Sequence, residues 1–127
     1  MSDEIVKVVI VGAGVGGLAN AKYVLGNKIG SLVILEQKQD LGGLWNPEGG
    51  YGWDSMTTNT SKYNCAFMGF PWDKNDPIYP NGRDFFLYMK AYAQHFGIDK
   101  HIRFGCRVNG VRRNPNGHYE IIYERNN

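Results

Sequence analysis

Long apolar runs are missing from this sequence, and none approaches the ~20 residues that a membrane-spanning helix needs. A strong excess of one charge is missing too. The formal net charge is +2 with the basic residues scattered, so there is no electrostatic footprint for a nucleic acid. Cysteine is scarce: Cys65 and Cys106 lie far apart in the chain, and without an export signal they read as free thiols. His95, His101 and His118 are isolated and read as surface or packing residues. No cluster has metal-ligand spacing, and no catalytic triad or carboxylate pair is visible. Internal repeats and low-complexity segments are also lacking. The start, Met-Ser-Asp-Glu, is acidic and runs straight into a strand pattern, unlike a signal peptide, so the default compartment is the cytoplasm. What remains is a one-domain globular protein of 127 residues, 43% of them apolar.

Glycine is the residue in excess, at 17. Ile5 to Val11 is an almost unbroken β-branched run, as in a strand buried on both faces of a parallel sheet. Gly12 to Gly17 follows at once. From Val15 to Leu25 small and apolar residues recur at helical spacing, with Gly26 and Asn27 as stop residues. Leu32 to Leu35 reads as a second buried strand ending at Glu36, so the segment is a β-α-β unit whose crossover should be right-handed. Gln37 to Pro80 is loop-like but rich in aromatic residues, which argues against disorder. Arg83 to Phe96 reads as a second amphipathic helix capped by Gly97. Ile102 to Phe104 is a candidate third parallel strand. Val108 to Arg113 and Tyr119 to Tyr123 form a predicted hairpin joined by Asn114 to Gly117. The fold class is therefore α/β, a Rossmann-like β-α-β unit with a second helix and a small β-hairpin.

The chemistry-bearing signal is Gly12-Ala13-Gly14-Val15-Gly16-Gly17. A G-x-G-x-x-G string alone is weak; here a strand precedes it, a helix follows it, and Glu36 closes the next strand near the ~20-residue spacing of a dinucleotide fingerprint. Each glycine has a task. Gly12 allows the tight turn, Gly14 leaves room for a pyrophosphate against the backbone, and Gly17 lets the helix pack close to the sheet. The helix amino terminus offers free N–H groups and partial positive charge. Glu36 can accept hydrogen bonds from ribose hydroxyls and would repel a 2′-phosphate, which points to FAD or NAD rather than NADP. Two further segments are open to plain readings on composition alone. Gly42-Gly43-Leu44-Trp45 could be an ordinary loop with a core aromatic, and Thr58-Asn59-Thr60-Ser61-Lys62 could be a polar turn.

Taken in order, these three segments resemble the flavin-containing monooxygenases. The resemblance continues through Phe67-Met68-Gly69-Phe70-Pro71, Tyr79-Pro80, the helical residues Phe85, Tyr88, Tyr92, Ala93, His95 and Phe96, and then Ile102, Phe104, Val108 and Val111. It spans Lys7 to Tyr123. Baeyer–Villiger-type relatives usually carry Thr in place of Leu44 and a different segment after the tryptophan. The resemblance implies FAD as cofactor, with Gly12, Gly14, Gly16 and Gly17 at the pyrophosphate and Glu36 at the adenosine ribose. It sets Gly43, Leu44 and Trp45 near the flavin, and Val108 at the adenine through its backbone. Asn59 becomes the catalytic residue, beside the isoalloxazine, where it helps hold the reactive flavin and the nicotinamide. Gln37 departs from a pattern that often has a basic residue after the acid, which touches only a peripheral adenosine contact.

The implied parent reaction is NADPH- and O₂-dependent oxygenation of a nitrogen or sulfur nucleophile in a small molecule. The chain has no second G-x-G-x-x-G for NADPH, no F-x-G-x-x-x-H fingerprint and no later strand ending A-T-G. The expectation is thus the amino-terminal part of an FAD-binding domain over residues 1–127, without the NADPH-binding domain and inactive alone. Such a piece would leave a sheet edge and apolar surface free for self-association or for a complementary chain. Two alternatives stand beside this one. The first is a non-catalytic FAD-binding or interaction fragment. The second is another two-dinucleotide oxidoreductase, such as a disulfide reductase, which would need a close cysteine pair that Cys65 and Cys106 do not supply.

Overall fold

The computed structural model describes residues 3–49 and 51–126; Met1, Ser2, Gly50 and Asn127 lie outside them. Three parallel strands form the sheet, β1 (Val8–Val11), β2 (Leu32–Leu35) and β3 (Ile102–Arg103), in the order β1-β2-β3. Val8 pairs with Leu32 and Ile34 with Ile102. β2 is the central strand and is buried along its whole length, as its unbroken apolar run requires. β1 begins later than the run Ile5 to Val11 predicts. Its partner β2 is four residues long, so Ile5 extends past the ladder and is 93% exposed.

Helix α1 (Val15–Gly26) crosses from β1 to β2 and buries Leu18, Ala21 and Val24, while Val15 and Tyr23 stay exposed. Gly26 is its last residue and Asn27 its cap, and the left-handed residue that turns the chain is Lys28 at φ 51° rather than a glycine. Helix α2 (Gly82–His95) buries Phe85, Phe86, Tyr88, Met89, Tyr92 and Ala93. Gly97, at φ 67°, ends it as the sequence predicts. Both helices pack with Leu32, Ile34 and Ile98 in the main core. β4 (Cys106–Arg113) and β5 (Tyr119–Arg125) form the antiparallel hairpin, each extending beyond its predicted bounds. The turn closes through Gly117, whose N–H donates to the Asn114 carbonyl at 3.0 Å. The hairpin base adds a small second core in which Cys106 and Val108 meet Val33, Leu35, Val9 and Ile121.

Among the described residues between β2 and α2 the regular element is a short 3-10 turn, Gly43–Trp45, and the rest is held by aromatic packing. Trp45 stacks on Phe85 at 4.5 Å between ring centroids, Trp72 on Tyr88 at 4.0 Å and Phe67 on Tyr92 at 3.9 Å. The segment around Thr58 to Lys62 runs beside Ile78 to Asn81, with the Thr58 N–H donating to the Pro80 carbonyl and the Lys62 N–H to the Ile78 carbonyl. Lys62 itself is 4% exposed. Its ammonium donates to the carbonyls of Asp73, Lys74 and Asp76 at 2.8, 3.0 and 2.6 Å. A buried ammonium survives only with such a full set of acceptors.

Candidate functional site

The carboxyl ends of β1 and β2 are where an open parallel sheet offers a crevice to ligands. At the end of β1 the chain turns through Gly12, whose φ of 95° is a region that only glycine enters freely. The Gly12 N–H donates to the Leu35 carbonyl at 2.8 Å, so the turn starts on β2. Both backbone groups of the next residue, Ala13, are held. Its N–H donates to Glu36 Oε2 at 2.8 Å, and its carbonyl accepts from the Gly42 N–H at 2.9 Å.

Gly14 then caps α1 with extended backbone and no side-chain capping bond, and the first turn contains no acidic residue. The first backbone bond of the helix is from the Leu18 N–H to the Gly14 carbonyl. The N–H groups of Val15, Gly16 and Gly17 are left without intrahelical partners, at the positive end of an uncompensated helix dipole. A Cβ on Gly14 would meet only the Gly43 Cα, at 3.8 Å, and a Cβ on Gly16 would meet nothing within 4 Å. A Cβ on Gly17 would overlap the Gly12 carbonyl oxygen and stand 3.4 Å from the Ile10 side chain. Gly14 and Gly16 thus keep space open at the helix end, whereas Gly17 lets the helix approach the strand.

Glu36 is 6% exposed, and its second oxygen, Oε1, accepts from the Lys38 N–H at 2.8 Å. Beside it lies a groove of about 340 Å³, lined by Val11, Gly12, Glu36, Gln37, Arg107 and Val108 among others. The Cys106 N–H donates to the Glu36 carbonyl at 2.8 Å. Alternation along the ladder turns the Val108 N–H and C=O toward that same edge, where β2 has ended. The site therefore offers, in sequence, a donor-rich helix end, a carboxylate, and a groove of mixed polar and apolar lining that the Val108 backbone faces. That order would fit the pyrophosphate, ribose and adenine of a dinucleotide, with N–H donors for the phosphates and a carboxylate acceptor for the ribose hydroxyls.

Gly43 closes the other side. It stands at φ 53° and faces Gly14, so two glycine segments distant in sequence abut through their backbones. Leu44, in the short 3-10 turn Gly43–Trp45, is half exposed and Trp45 is tucked against Phe85. Asn59 is exposed, and its side chain makes no hydrogen bond among the described residues. The structure brings Gly12, Gly14, Gly16, Gly17, Glu36, Gly43 and Val108 together, with Leu44 and Trp45 adjoining; Asn59 has no bond to that group. Sequence reasoning passed over Ala13, because a backbone donor leaves no trace in residue type. It also passed over Asn46, which is 4% exposed and accepts from the Glu48 N–H at 2.9 Å. The string Asn46-Pro47-Glu48 is the signal that could have found that turn. Among the described residues no group of His, Cys, Asp and Glu could hold a metal ion, and no helix is long and apolar enough to cross a membrane. Cys65 and Cys106 are free thiols that pack in separate cores.

Known proteins are similar to this chain in sequence and in fold. Dimethylaniline monooxygenase [N-oxide-forming] 4 of Rattus norvegicus is 32% identical over 93% of this chain, which covers 23% of that protein. Flavin-containing monooxygenase 1 of Homo sapiens is 34% identical over 91%, covering 24%. Thiol-specific monooxygenase of Saccharomyces cerevisiae is also 34% identical over 91%, covering 28%. The chain thus spans about a quarter of the length of the curated relatives it matches. In fold it is similar to S-allyl-L-cysteine S-oxygenase from Allium sativum, with a TM-score of 0.82 at 19% identity, over 92% of this chain and 31% of that one. It is also similar to a steroid monooxygenase solved bound to NADP, with a TM-score of 0.80 at 19% identity, over 93% and 23%. The model of the flavin-binding monooxygenase-like family matches residues 5–127, and with the glycine turn, the acid and the second glycine pair assembled as described, the chain belongs to that family.

Proposed function

We propose that this chain binds the ADP half of FAD and forms part of an enzyme that uses NADPH and O₂ to oxygenate a nitrogen or sulfur atom of a small molecule. The observation that carries the first half is the uncapped end of α1, held open by Gly14 and Gly16 beside the Glu36 carboxylate. The pyrophosphate would lie on the Val15 to Gly17 N–H groups. The ribose hydroxyls would donate to Glu36, and the adenine would sit in the groove against the Val108 backbone. Bound FAD supplies the redox chemistry, accepting hydride and activating dioxygen. The chain's own part is to bind, orient and shield. Gly43, Leu44 and Trp45 would lie between the pyrophosphate and the flavin, and by resemblance to the family Asn59 would contact the isoalloxazine and nicotinamide.

The reaction class is supported by the relatives, whose names describe N-oxide formation, thiol specificity and S-oxygenation. A related fold was solved in complex with FAD and NADP. The open outer edge of β1, which pairs only with β2 among the described strands, supports association with a further strand from a second copy or a complementary segment.

The test is titration of the purified chain with FAD, NAD and NADP, followed by flavin and protein fluorescence. FAD is expected to bind and to be released on denaturation as a yellow solute, and NADP to bind worst, because Glu36 meets its 2′-phosphate. A preference for NADP over both others would refute the assignment.

A further inference from the structure

Glu36 makes more bonds than ribose recognition requires. Its two carboxylate oxygens already accept from the Ala13 and Lys38 N–H groups, each at 2.8 Å. Its own N–H donates to the Arg103 carbonyl at 3.0 Å, and its carbonyl accepts from Cys106 at 2.8 Å. One residue therefore ties the turn after β1, the turn after β2, the end of β3 and the start of β4. We propose that Glu36 is the positioning residue that sets the glycine turn before any nucleotide arrives, and that ribose recognition uses only the acceptor capacity left over. This rests on reading the chain as a dinucleotide binder.

The physical case runs through Gly12 and Ala13. A glycine at φ 95° is free to leave that conformation, so the peptide after it needs a restraint. The bond from the Ala13 N–H to a buried carboxylate is that restraint, and bonds to an ionised acceptor are stronger than neutral ones. A carboxylate has about four acceptor sites. Two are occupied by backbone donors, which leaves one on each oxygen and matches the two hydroxyls of a ribose. Gln is isosteric with Glu but has a single acceptor oxygen. Its NH₂ would face one of the two backbone N–H groups, donor against donor, so Glu36→Gln should release the turn even with no ligand present.

The experiment compares the wild-type chain with Glu36→Gln, using ADP and 2′,3′-dideoxy-ADP as probes in calorimetric titrations. Exchange of the Ala13 amide proton is followed by NMR without nucleotide. The dideoxy nucleotide cannot bond Glu36, so a residue acting only on the ribose would leave its affinity unchanged. The proposal expects Glu36→Gln to weaken both nucleotides, the dideoxy form by about tenfold, and to speed Ala13 exchange while circular dichroism stays constant. Loss of ADP binding alone, with dideoxy-ADP affinity and Ala13 exchange unaltered, would overturn the positioning role and leave the dinucleotide reading intact. If the wild type binds neither ADP nor FAD, the dinucleotide reading fails and this inference with it. If Glu36→Gln does not fold, wild-type exchange decides the matter: an unprotected Ala13 amide in the nucleotide-free protein overturns the proposal.

Discussion

Single glycines here have separable duties, and substitution tells them apart. Gly14 has extended backbone at φ −82°, and a side chain there meets little protein, only the Gly43 Cα at 3.8 Å. Gly14→Val is expected to abolish flavin binding while leaving helical circular dichroism near wild type, since the side chain takes the space of the pyrophosphate. Unchanged FAD fluorescence quenching would refute that duty. Gly17 is the converse case. Its added Cβ would overlap the Gly12 carbonyl oxygen, so Gly17→Ala should cost about 1–3 kcal/mol through overpacking and lower the melting temperature before any ligand is added. At this scale the fingerprint was legible because its chemistry is an absence of side chains at fixed spacing. The bond from the Ala13 N–H to Glu36 and the carbonyl cage of Lys62 were not, because each has a backbone group as one partner and is brought together only by the fold.

Among the elements, α2 governs the second half of the site. Phe85 stacks under Trp45, and Phe86 lies where a Cβ on Gly42 would touch it, 2.9 Å away. The helix begins with a reciprocal cap: Asn81 accepts from the Asp84 N–H at 2.8 Å and Asp84 accepts from the Asn81 N–H at 3.1 Å. Asn81→Ala should therefore cost about 1 kcal/mol, seen as a melting shift of several degrees. The same helix sets an alkaline limit. Burial pushes the Tyr88 and Tyr92 phenols above their ordinary range. The folded state keeps them protonated where the unfolded chain ionises, so their stabilisation is complete below about pH 10 and is lost as pH rises beyond it. A melting temperature that stays flat from pH 9 to pH 11 would count against this. Helices and buried strands were legible from periodicity. The aromatic segment before α2 was not, since its stacking pairs Trp72 with Tyr88 and Phe67 with Tyr92 at no regular spacing. The start of β1 was overestimated because composition continues past the point where the partner strand stops.

For the molecule as a whole, one glycine fingerprint and one groove beside a carboxylate describe a site for one dinucleotide. Hydride transfer needs a nicotinamide held within about 3–3.5 Å of the flavin, and the 127 residues contain no second fingerprint to hold it. The chain supplied with FAD, NADPH, O₂ and a tertiary amine or thioether is expected to consume no NADPH. Consumption that depends on FAD and disappears in Asn59→Ala would show a nicotinamide site within the aromatic segment. The strand order has a consequence in time. β1, α1 and β2 are joined by short connections and can close on themselves early, but β3 reaches β2 only after the chain from Glu36 to His101 has found its place. The bonds from Glu36 to Arg103 and Cys106 belong to that late event, and so does the groove beside Glu36. In a refolding experiment, far-ultraviolet ellipticity should recover first and flavin binding last. A nucleotide would then lengthen the life of the finished protein without hastening its birth.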